Sequence, residues 1–139
     1  MSATSIAAFG CYGVVALVTI AFGLIYLLRP SFMPYHQEAL ARPWQELEPR
    51  LQALLLAFLR AAGGGMLASG IGAGAMLLVP FRAGEGWSLV AIPAVELAVV
   101  LPMLWATYIV RSRTGAHSPV WLSAAGIALV VAGIALAVV

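Results

Sequence analysis

Residues 6–28, 61–79, 89–110 and 121–139 form four long apolar runs, and of these only the third holds a charge, Glu96. A bilayer core about 30 Å thick is crossed by about 20 apolar residues rising about 1.5 Å each, so every run is long enough to span it. Charged residues make up 9% of the chain and hydrophobic ones 63%. A soluble domain carries about 25% charged residues, so no solvated exterior can be assembled from this composition. The expected fold is all-α: one integral membrane four-helix bundle over residues 1–139, with spans at about 6–28, 53–80, 88–110 and 119–139. Residues 29–52 form the long connection between the first two spans.

Seven arginines and no lysine give a net charge of +2. They sit near helix ends, which suits lipid headgroups and not nucleic acid. The first run follows Met1-Ser-Ala-Thr-Ser without a basic stretch and is read as a retained span rather than a signal peptide. The single cysteine, Cys11, lies inside that span, where it packs as a small apolar residue and can form no internal disulfide.

With four spans, Arg29, Arg42, Arg50, Arg111 and Arg113 fall on one side of the membrane, whereas the turn at 81–87 carries only Arg82. The positive-inside rule puts the arginine-rich side in the cytoplasm and both termini outside it. Within the long connection, Pro43 followed by Trp-Gln-Glu-Leu-Glu has the features of a first helical turn, predicting a short interfacial helix there. Ser118-Pro119 predicts the start of the last span, with serine as N-cap and proline at the first helical position. Trp44, Trp87, Trp121 and Tyr26 fall near the expected boundaries, where interfacial aromatics belong.

Helices in lipid associate through close packing of small residues. On the second span Ala61, Gly65, Ser69 and Ala73 recur every four residues, Gly64, Ala68 and Gly72 form an adjacent row, and Gly70 and Gly74 add a further pair. These rows predict a close-packed face. Tyr12, Ala16, Thr19, Gly23 and Tyr26 make a small and polar stripe along the first span, partly overlapped by Gly10 and Gly13, so this helix is expected to pack centrally. The fourth span offers Gly126, Gly133 and Ala137 on one face.

Glu96 lies near the middle of the third span, where an unpaired charge costs at least about 2.5 to 3.5 kcal/mol, so it must be protonated, hydrated or paired. Arg60 is the one arginine flanked by apolar stretches on both sides, and an Arg60–Glu96 pair across the hairpin is the preferred expectation. The alternatives are an Arg60 that snorkels to the headgroups, or a functional carboxyl in a proton or ligand site. Pro93 and Pro102 flank Glu96 and free the carbonyls of Leu89 and Ala98, while Pro93, Val100, Met103 and Thr107 share its face. The candidate ligand or proton site is therefore Glu96, Arg60, Tyr12, Thr19, Tyr26, Met103 and Thr107.

His36 and His117 fall in connections on one membrane face, and with Glu38, Glu46 or Glu48 they are the weak candidates for a metal shell, although their spacing fits no metal motif. The Gly63-Gly64-Gly65 cluster follows no strand and is packing surface rather than a phosphate loop. No catalytic constellation and no cofactor motif is present.

In size and span count the chain resembles the small multidrug resistance transporters, but their essential acid is on the first helix and Glu96 is on the third. The segment Leu59-Arg60-Ala-Ala-Gly-Gly-Gly-Met-Leu-Ala-Ser-Gly70 resembles the DoxX-like bacterial four-helix membrane proteins. That resemblance covers about 20 residues and implies a bacterial inner-membrane protein, in a group partly associated with quinone-linked oxidases. The functional expectation is a noncatalytic multi-pass protein, an accessory subunit or oligomeric scaffold, with lipid and other membrane proteins or further copies as partners. The alternative is a small proton-coupled carrier or lipophilic-ligand-binding protein centred on Glu96 and Arg60. A surface enzyme using His36 and His117 is the weakest reading.

Overall fold

The computed structural model describes all 139 residues and is helical throughout. Helix α1 (Ala3–Leu28) begins where the Ser2 hydroxyl accepts a hydrogen bond from the Ser5 N–H at 3.1 Å. A short helix α2 (Pro34–Leu40) and a single 3₁₀ turn (Trp44–Glu46) occupy the long connection. Helix α3 (Pro49–Met76) passes directly into a wider π-turn (Leu77–Phe81) that contains Pro80. A tight turn leads to α4 (Ser88–Thr114), and α5 (Val120–Ala137) completes the chain. The four long helices are each long and apolar enough to cross a membrane.

The expected order of four long apolar helices is found, with three local corrections. The helix in the connection lies upstream of Pro43: Pro34 supplies the pre-set φ of the first helical turn, and Trp44–Glu46 makes only one turn. Before α5, Ser118 does not cap the helix. Its hydroxyl turns back to donate to the Thr107 carbonyl of α4 at 2.6 Å, and Pro119 occupies the cap position. Helix α4 also runs past residue 110 to Thr114, ending at Gly115 with φ 73°, a left-handed conformation that glycine adopts without strain. Arg111 and Arg113 in its last turn complement the negative end of the helix dipole.

Helix α1 is central, packing against α3 on one side and α5 and α4 on the other. Its expected stripe is its buried face: Tyr12, Ala16, Thr19, Gly23 and Tyr26 are all inside. Gly10 and Gly13 are not part of it, since a β-carbon on either would meet nothing within 4 Å. Tyr26 is accordingly a buried residue of the core.

The close contact with α3 falls on Gly63 and Gly70, while most of the small-residue rows expected to form it face elsewhere. A β-carbon on Gly63 would sit 2.8 Å from the Gly23 carbonyl oxygen, and one on Gly70 would sit 2.9 Å from the Ala16 carbonyl oxygen. Gly23 is equally tight, at 2.7 Å from the Leu67 amide. The two backbones approach closely at Gly63 and Gly70, which with Met66 and Ala73 are the buried residues of α3. Gly64, Gly65, Gly72 and Gly74 have open space where a β-carbon would be. The physical reason lies in the partner: Ile20, Tyr26 and Leu27 of α1 need gaps opposite them, and these fall at Gly63 and Gly70.

Helix α5 follows its expected face. Gly126 lies against Val100, and Gly133 receives the ring of Tyr12 at 2.7 Å from where its β-carbon would stand. Outward surfaces carry large apolar side chains such as Leu17, Phe58, Val90 and Trp105, a pattern suited to lipid and adverse in water.

Candidate functional site

In the half of the bundle nearer the arginine-rich connections, α1 and α5 separate around a cavity of about 180 Å³. Val15 and Phe22 of α1, Val99 and Val100 of α4, and Leu122 and Leu129 of α5 supply much of its apolar wall. The lateral mouth opens between α1 and α5, where Val14 and Val18 combine a place in the lining with outward exposure. At one end Tyr12 packs on Gly133 and closes α1 onto α5. At the other end Tyr26 and Tyr35 share a hydrogen bond at 2.9 Å beside Pro119.

Polar groups enter this cavity only as hydroxyls, from Thr19, Tyr26, Tyr35, Thr107 and Ser123, and no charged side chain lines it. Thr107 donates to the backbone of its own helix, at 2.8 Å to Met103 and 3.1 Å to Leu104. The two tyrosines use one of their protons on each other. Burial, reinforced by the Tyr26 hydroxyl, holds the Tyr35 phenol well above its ordinary range, so it stays a neutral hydroxyl. Thr19 and Ser123 are left with hydroxyls free to meet a guest.

Four of the residues expected from sequence, Thr19, Tyr26, Met103 and Thr107, meet at this cavity. Glu96 and Tyr12 do not line it. Glu96 is one helical turn beyond Val100 and lies 4% exposed, with neither carboxyl oxygen hydrogen-bonded. Tyr12 is fully buried, and its hydroxyl is likewise unpartnered. The expected Arg60–Glu96 pair does not form, because Arg60 lies exposed on α3 while Glu96 faces the core. The one contact of salt-bridge geometry joins the His117 ring to the Glu38 carboxylate at 3.1 Å, and it is an ion pair only when the imidazole is protonated.

That contact divides the two histidines. His117 grips Glu38 through both its backbone N–H, at 2.9 Å, and its ring Nδ1. His36 instead lies against Tyr35 and Phe32, its Nδ1 accepting from the Met33 amide at 3.3 Å. No group of three or more metal-ligating side chains converges anywhere in the chain.

Sequence reasoning missed Tyr35 and Ser123. The signal for Ser123 was available, since it stands one turn before Gly126 and Ile127 on the face of α5 that turns inward. Tyr35 reaches the cavity only because α2 folds back under the bundle, which no local pattern announces.

No family model, curated protein or solved structure matches this chain, so the site rests on its own geometry.

Proposed function

We propose that this chain is an integral membrane protein of the bacterial inner membrane that binds a lipophilic ligand within the bilayer. In this reading the arginine-rich connections face the cytoplasm and both termini lie outside it, as the charge bias favours. The observation that carries the reading is the laterally open, apolar cavity between α1, α4 and α5, with hydroxyls as its only polar groups. Binding sites for small apolar molecules are concave and largely apolar, with a few placed polar groups that fix orientation. Met66 and Met103 in the wall supply side chains that adapt to a guest.

Ala125 lines the mouth and is exposed, so Ala125→Trp narrows the entrance without disturbing the core. Mass spectrometry of protein gently purified from native membranes is expected to show a hydrophobic compound enriched over bulk lipid. The variant is expected to retain it at least about tenfold less, equivalent to about 1.4 kcal/mol. Equal retention by both proteins, or no enriched compound at all, would remove the reading.

A second reading, an accessory subunit or oligomeric scaffold, is favoured by the α3 surface that turns away from α1. Ala61, Gly65 and Ala68 are exposed there. Helices in lipid associate through such small-residue faces.

A further inference from the structure

The lining of the cavity speaks to the chemical class of its guest. We infer that it takes a neutral, oxygen-bearing lipid, an uncharged chain or ring with one hydroxyl or carbonyl group, and rejects the same chain carrying a charged head. This inference rests on the ligand-binding reading above and narrows it.

Charge is absent from all eighteen lining residues. An ionic head brought inside would lose its hydration and find no counter-charge, a cost that neutral polar groups bonded to hydroxyls avoid. The closest acid along the α4 face, Glu96, stands one helical turn beyond Val100, buried and outside the lining. Arg29 and Arg42 line a separate surface hollow, formed on the side of α2 that carries Pro34, Gln37 and Glu38. Tyr35 of the same helix faces the cavity and closes it with Tyr26, so α2 separates the arginine hollow from the cavity. An anionic headgroup is therefore served at the surface, and a guest of the cavity arrives sideways from the lipid.

What the cavity does offer is hydroxyl chemistry. Thr19 on α1 and Ser123 on α5 stand free, and the Tyr26–Tyr35 pair has one proton to spare. Each hydroxyl both donates and accepts, so a carbonyl or a hydroxyl of the guest is satisfied equally well. Size adds a further limit. A cavity of about 150 Å³ holds benzene, so the 180 Å³ here accommodates one ring or a short stretch of chain. The remainder of a long lipid lies outside the mouth, among bilayer chains.

Three photoreactive probes with one diazirine-bearing alkyl chain, ending in a primary alcohol, a carboxylate or an ammonium, separate the possibilities in nanodiscs of zwitterionic lipid at neutral pH. The alcohol is expected to label the α1 and α5 segments that flank the mouth at least about tenfold more than either charged probe. The near-isosteric pair Thr19→Val and Ser123→Ala is expected to reduce that preference while leaving the fold intact. Equal labelling by all three probes would overturn the neutral-lipid inference and leave the ligand-binding reading standing, since the cavity would then hold any bilayer chain. Preferential labelling by a charged probe would also overturn it. Absence of labelling at the mouth by every probe would overturn both.

Discussion

Both carboxyl oxygens of Glu96 and the hydroxyl of Tyr12 lie in the core without a hydrogen-bond partner. Leaving a buried polar group unsatisfied costs about 1–3 kcal/mol. Replacing Glu96 with methionine, of similar length and no polarity, is therefore expected to stabilise the protein by about 1–3 kcal/mol in a chemical unfolding titration. A loss of stability would show that the carboxyl is bonded within the folded protein. The Arg60→Ala, Glu96→Met double-mutant cycle is expected to close within about 0.5 kcal/mol, since the two side chains share no contact. Sequence alone identified Glu96 as the one acid among the apolar runs, because charge is conspicuous in oil. Its pairing was not legible: axial rise places two residues at comparable depth, but the rotation of α3 about its own axis decides whether Arg60 faces inward.

That rotation is an element-scale property, fixed by which small residues the neighbouring helix requires. Four-residue rows of glycine and alanine run along several faces of α3, and local pattern does not rank them. The decisive signal is a matched seven-residue interval, Gly63 to Gly70 on α3 and Ala16 to Gly23 on α1, which recurs on both helices. Gly63→Ala would press a methyl group on the Gly23 carbonyl, backbone against backbone, and is expected to cost about 1–3 kcal/mol. Gly65→Leu has open space around it and is expected to leave the stability of the isolated protein unchanged. The same Gly65 variant tests the scaffold reading. If the outward face of α3 holds a neighbour, its oligomeric state by native electrophoresis falls, and an unchanged state removes that reading.

At the scale of the whole molecule, α2 joins the two arginine-rich connections and forms the base of the cavity. Tyr35 reaches up to Tyr26, and Glu38 reaches across to His117. The backbone N–H of His117, with its ring, holds the Glu38 carboxyl below its ordinary value of 4.5, while burial pushes the His36 imidazole below its ordinary 6.5. Both are depressed, so both contributions are present at neutral pH and lost on acidification. For His36 the loss begins as the pH falls below 6.5, and for Glu38 as it falls below 4.5. Amide protection of residues 34–40, corrected for intrinsic exchange, is expected to fall when sealed right-side-out vesicles are acidified on both faces. Acidifying the outside alone is expected to change nothing. Release by outside acid would reverse the assigned orientation, and protection unaffected by either treatment would show that α2 is not held by these contacts. The number of long apolar helices, the inward stripe of α1 and the inward face of α5 were determined by the chain itself, since they follow from hydrophobic length and helical period, both local quantities. The cavity, the unpartnered Glu96 and the placing of Tyr35 were decided only by tertiary structure. They depend on how far each helix is turned about its axis and where two helices part, and those angles are set by contacts between residues remote in sequence.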